Sequence, residues 1–99
     1  MPTLKIDLQE GFTGELVVLR INGQEVFRAS PKTRMQIGLA DSRTFDLPPQ
    51  EHLIELELPE TDSTKILKVN LLQDRHIGVS LDQNKSISLK ESLEPFGYL

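Results

Sequence analysis

The feature that most narrows the fold of this chain is a period of two. Leu4, Ile6 and Leu8 alternate with Lys5 and Asp7, and Ile54, Leu56 and Leu58 with Glu55 and Glu57. Leu67, Val69 and Leu71 alternate with Lys68 and Asn70, and Ile77, Val79 and Leu81 repeat the spacing. Such alternation puts neighbouring side chains on opposite faces of the backbone, so each run is a strand with one face in a core and one in water. The run Leu16-Val17-Val18-Leu19 is apolar without a break and reads as a central strand covered on both faces. A helical spacing occurs only over Ser88 to Glu94, where Leu89 and Leu93 lie four apart and Pro95 stops the chain.

The breaks between these runs are chemically specific. Asn22-Gly23 joins Glu15 to Ile21 with Gln24 to Ala29, and Asn-Gly suits the two positive-φ positions of a type I′ hairpin. Ser30-Pro31-Lys32 is a break, after which Met35, Ile37 and Leu39 predict a further strand, with Gly38 at a bulge or a close approach. Thr44 to Leu47 predicts a short strand ended by Pro48-Pro49; Pro59 and the polar residues from Glu60 to Thr64 end the next. Asp82-Gln83-Asn84-Lys85 is a hairpin loop into Ser86 to Leu89, and residues 90–99 form a C-terminal tail. About eight short strands at this spacing, with little or no helix, predict an all-β antiparallel sandwich, Ig-like or prealbumin-like, in one domain over residues 1–99.

The segment Ile21-Asn22-Gly23-Gln24-Glu25-Val26, followed by Leu47-Pro48-Pro49-Gln50-Glu51-His52-Leu53-Ile54, resembles the small prealbumin-like sandwich modules of the PEGA type. Those modules carry an Asn/Asp-Gly hairpin and later a Leu-Pro-x-x-x-His-x-Ile turn into a strand. Here Gln50-Glu51 stand where a glycine usually precedes the histidine, and the Pro-Glu-Gly-Ala-like start is absent. The resemblance covers the middle third of the chain and implies a non-enzymatic binding or scaffolding module.

Composition removes several kinds of chemistry. The chain contains no cysteine, which excludes disulfides, thiolate zinc sites and thiol nucleophiles. No apolar stretch matches a signal peptide or a membrane span, so the cytoplasm is the expected location and no membrane partner is expected. No Gly-x-Ser-x-Gly elbow or phosphate-cradling glycine loop occurs, and no cofactor is expected. Asp82-Gln83-Asn84 starts like a calcium loop but lacks its glycine and terminal glutamate.

An enzyme reading, as a small hydrolase or metal-dependent enzyme, rests on His52 or His76 with Asp74, which shares a face with His76 if the strand begins by Asp74. Glu55 and Glu57 share a face with α-carbons roughly 6.5 to 7 Å apart, but their alternation against apolar residues points both to water, where neither carboxyl is desolvated. A carbohydrate-binding module is a third reading, thinly supplied with stacking rings by one tyrosine and no tryptophan.

Charge and aromatics favour a protein partner. Net charge is −4, unsuited to a nucleic-acid backbone, and only Phe27 lies among the basic residues. Arg20, Arg28, Lys32, Arg34 and Arg43 form a basic block, whereas Thr44 to Thr64 holds six acidic residues and no basic one. These blocks either pair across strands or form separate patches. Phe96 and Tyr98 place two of the five aromatics in the last four residues. Arg28, Lys32, Arg34, Phe96 and Tyr98 are therefore the expected partner-binding residues of a monomer or weak homo-oligomer.

Overall fold

The computed structural model describes residues 2–34 and 38–97. Eight strands follow one another: β1 (Thr3–Leu8), β2 (Val17–Ile21), β3 (Gln24–Ala29), β4 (Asp41–Asp46), β5 (Glu51–Leu58), β6 (Ser63–Asn70), β7 (Arg75–Leu81) and β8 (Ile87–Ser92). They form two four-stranded sheets, ordered β4-β1-β7-β8 and β3-β2-β5-β6. All neighbours are antiparallel except β1 and β7, which run parallel with Ile6 opposite Ile77. Alternation along one strand carries no information about the direction of its neighbour, so this pair was not legible in the pattern.

The alternating apolar residues meet between the sheets. Leu4, Ile6, Leu8, Ile77 and Val79 from one sheet and Leu19, Ile21, Ile54, Leu56 and Leu58 from the other are buried in a single core. Phe12, on the β1–β2 connection, is buried with them at the end of the sandwich. Its carbonyl accepts the Thr33 amide at 2.8 Å, and its amide donates to the Thr33 hydroxyl at 3.0 Å. The same hydroxyl donates to the Gln9 carbonyl at 2.6 Å, joining two connections through one side chain.

The Asn22-Gly23 hairpin forms as expected, with φ of 53° and 83° at its two central residues. Val18 and Leu19 are both buried, in accord with a central strand. The bounds of two expected elements change, and little or no helix forms, as expected. Residues 35–37 lie outside the described residues, and Leu39 makes only an isolated bridge to Arg34. The strand predicted at Thr44 to Leu47 runs instead from Asp41 to Asp46, because pairing with β1 imposes strand on a segment of poor β propensity. No helix forms over Ser88 to Glu94, since β7 supplies ladder partners from Leu81 back to His76. The C-terminal tail accordingly begins at Leu93, as residues 90–92 belong to β8. A single 3-10 turn, Pro59–Thr61, links β5 to β6, and no helix among the described residues is long and apolar enough to cross a membrane.

Candidate functional site

The expected site residues occupy different parts of the sandwich. Arg28 lies in β3 and is held by Glu25 at 2.8 Å, which raises the guanidinium pKa and lowers that of the carboxyl. Lys32 and Arg34 lie on the β3–β4 connection, in isolated bridges with Thr13 and Leu39. Lys32 helps line a cleft of about 680 Å³ with Glu10, Phe12, Thr13 and Thr33. Phe96 is half-buried and lines a neighbouring depression with Gln9, Ser80 and Lys90. Glu10 and Gly38 border both hollows, so Lys32 and Phe96 come onto adjoining surfaces while Arg28 stays on the other sheet. Tyr98 lies outside the described residues.

Of the basic block, Arg20 pairs across strands with the acidic block, whereas Arg28 and Arg43 pair with Glu25 and Asp41 inside their own. Arg20 on β2 binds Glu55 and Glu57 on β5, each at 2.8 Å. The hydrogen bond to Glu57 is the main cause of the raised Arg20 pKa. Glu55 and Glu57 are thus tied to one guanidinium instead of projecting freely into water. Arg43 packs over the Phe27 ring with Cζ 5.1 Å from its centroid, and Phe27 is buried, so it offers no open stacking face.

The histidines differ in environment. His52 is buried on β5, its Nδ1 lying 2.9 Å from Asn22 Nδ2 and its Nε2 2.9 Å from the Pro48 carbonyl. His76, half-buried on β7, stands opposite Lys5 and Ser92, and its Nδ1 has no hydrogen-bond partner among the described residues. Asp74 accepts the Thr3 amide at 2.9 Å. Among the described residues, no group of three histidine, aspartate or glutamate side chains is arranged to hold a metal ion.

The most conspicuous exposed apolar surface is one that alternation does not mark. At the end of the sandwich where β6 turns into β7, Leu72 is 68% exposed; Leu93, just beyond β8, is 55% exposed. Together with Pro2, Pro49, Gln73 and Asp74 they line an open depression of about 630 Å³. Local chemistry sets this arrangement: the Leu71 amide donates to the Gln50 carbonyl at 3.0 Å and Leu71 is fully buried, which leaves Leu72 outward. The Leu47 amide donates to the Pro2 carbonyl at 3.2 Å, bringing the start of β1 to the same end. The only sequence signal was the doublet Leu71-Leu72 at a strand end, where one of two consecutive apolar residues faces away from the core. Comparison with protein-family models, with curated proteins and with solved structures finds no match to this chain.

Proposed function

We propose that this domain is a non-catalytic protein-interaction module of the prealbumin-like kind, and that a partner docks on the depression lined by Leu72, Leu93, Pro2 and Pro49. The observation that carries the reading is the exposure, on one depression, of two large leucines contributed by the β6–β7 connection and the C-terminal tail. An isolated exposed leucine is ordinary, but Leu72 and Leu93 line one hollow with two prolines and with Gln73 and Asp74, which offers apolar anchors and polar groups together. The resemblance of the Asn22-Gly23 and Leu47 to Ile54 segments to PEGA-type modules supports the same reading, since such modules are commonly non-enzymatic appendages.

The test is photo-crosslinking from position 73 in the cells that make the protein, followed by affinity measurement with the purified, identified partner. Leu72→Asp and Leu93→Ser are each expected to weaken binding at least ~10-fold, as removal of a central apolar anchor does. Unchanged affinity in both variants, or no discrete crosslinked species, overturns the reading.

A further inference from the structure

The four edge strands of the two sheets are not equivalent. In β4, Asp41 and Arg43 share the face of β1's buried Leu8 and Ile6, turning charges toward the core side of that edge. The ladder that holds β3 is interrupted by a register shift at Leu19/Arg20. β8 is six residues long, and the chain beyond it leads to Phe96 on the outer side of that sheet, near Ser80 and Lys90. β6 is eight residues long and keeps regular register with β5 from Ser63 through Asn70. Residues 63–69 make no backbone hydrogen bond outside that ladder among the described residues. An unbroken, proline-free edge of this length is a template for another strand.

Its side chains define what kind of strand. Ile66 is 57% exposed and stands on the outer face opposite Glu55; Lys68 stands on the same face opposite Leu53, and Lys65 turns to the core side opposite the buried Leu56, one such charge where β4 has two. On the outer face of β5, Glu55 and Glu57 are committed to Arg20, and Glu51, opposite Asn70, is the remaining acid diagonal to Lys68. Neither Lys65 nor Lys68 has an ion-pair partner within 4 Å among the described residues. The edge therefore carries two cations with no ion pair within 4 Å around one exposed isoleucine, on a chain whose net charge is −4.

We infer that β6 is a strand-addition site for an extended acidic segment of a partner protein, with an apolar side chain beside Ile66 and carboxylates beside Lys65 and Lys68. This deepens the interaction-module reading and rests on it; Leu72 lies two residues beyond the end of β6, so the strand leads directly to the depression that Leu72 lines. Backbone hydrogen bonds supply the attachment, and the alternating side chains supply selectivity. The addition is antiparallel, continuing the β5–β6 geometry, and the partner reads acid-x-apolar-acid against Lys68, Leu67, Ile66 and Lys65.

The probe is the peptide acetyl-Thr-Glu-Val-Ile-Glu-Val-Thr-amide, titrated into the whole protein with amide hydrogen exchange read by NMR. Exchange at alternate β6 amides is expected to slow at least ~10-fold at saturation. Reversing both peptide glutamates to lysine is expected to weaken binding at least ~10-fold, and the variant Lys65→Glu/Lys68→Glu to restore binding of that reversed peptide. The same peptide methylated at alternate backbone nitrogens is expected not to bind in the methylation register that faces β6. Absence of β6 protection, equal binding of both peptides, or β6 protection that grows with protein concentration in the absence of peptide overturns the inference, the last because a second copy then fills the edge. Loss of partner binding in Leu72→Asp with no peptide binding overturns only the edge inference. Peptide binding at β6 with no effect of Leu72→Asp or Leu93→Ser on the partner overturns only the docking depression.

Discussion

His52 Nδ1 lies 2.9 Å from Asn22 Nδ2, joining the centre of the first hairpin to the strand that begins 29 residues later. A carbonyl only accepts, so the 2.9 Å contact of Nε2 with Pro48 fixes the proton on Nε2 and leaves Nδ1 to accept from the Asn22 amide. Asn22 also accepts the Leu53 amide through Oδ1 at 2.9 Å, and its own amide donates to the Leu53 carbonyl at 2.8 Å. One asparagine at φ 53° thus shapes the turn and fastens it to β5.

The expected outcome is that long-range proton–nitrogen NMR shows the Nε2–H tautomer of His52 at neutral pH. In urea denaturation, Asn22→Gly keeps the turn geometry but loses the side-chain bonds, costing about 1–2 kcal/mol. His52→Ala removes a buried side chain and strands its partners, at about 2–4 kcal/mol.

Glu15 gives the fold a pH dependence. Burial by itself raises its pKa, but hydrogen bonds from the Thr13 hydroxyl at 2.5 Å and the Thr13 amide at 2.7 Å, with its own amide and Lys85, outweigh that and hold it at about 2. The folded pKa lies below the ordinary 4.5, so this contribution is complete above pH 4.5 and is lost as pH falls toward 2. The loss over that window is expected to be about 2–3 kcal/mol. Chemical denaturation at a series of pH values, repeated with Glu15→Gln, checks it: the variant is less stable at neutral pH and its curve is flatter between 4.5 and 2.

Gly11 permits the closest backbone approach in the β1–β2 connection. Its φ is +91°, and a Cβ there would lie 2.0 Å from the Leu81 carbonyl oxygen, whose residue also donates its amide to Glu10 at 2.8 Å. Gly11→Ala is expected to cost about 2–4 kcal/mol through positive-φ strain and displacement of β7, measured as a shift of the urea midpoint at unchanged slope.

Leu72→Asp and Leu93→Ser touch exposed side chains outside the core. Each is expected to leave stability within about 0.5 kcal/mol, which separates their effect on partner binding from any effect on folding. Thermal unfolding of the two variants beside the native chain checks this.

Much of the architecture was readable along the chain, because a strand with one face in the core must alternate and a type I′ turn demands residues that tolerate positive φ. Leu4, Ile6 and Leu8, the β5 set Ile54, Leu56 and Leu58, and the Asn22-Gly23 turn all fall where these local rules put them. The segment Asp41–Asp46 did not, since its strand conformation comes from the ladder to β1 and not from its own residues.

What the sequence by itself determined was the period, and with it an all-β fold of strands with one face in a core. Tertiary structure alone decided the parallel pairing of β1 with β7, the union of Arg20 with Glu55 and Glu57, and the meeting of His52 with Asn22. It also decided that Leu72 and Leu93 share one surface with Pro2 and Pro49. The physical reason is common to these cases: a local pattern fixes which way a side chain points, whereas its neighbours depend on which strand the chain lays alongside, and that is set by closing one core across many residues of sequence.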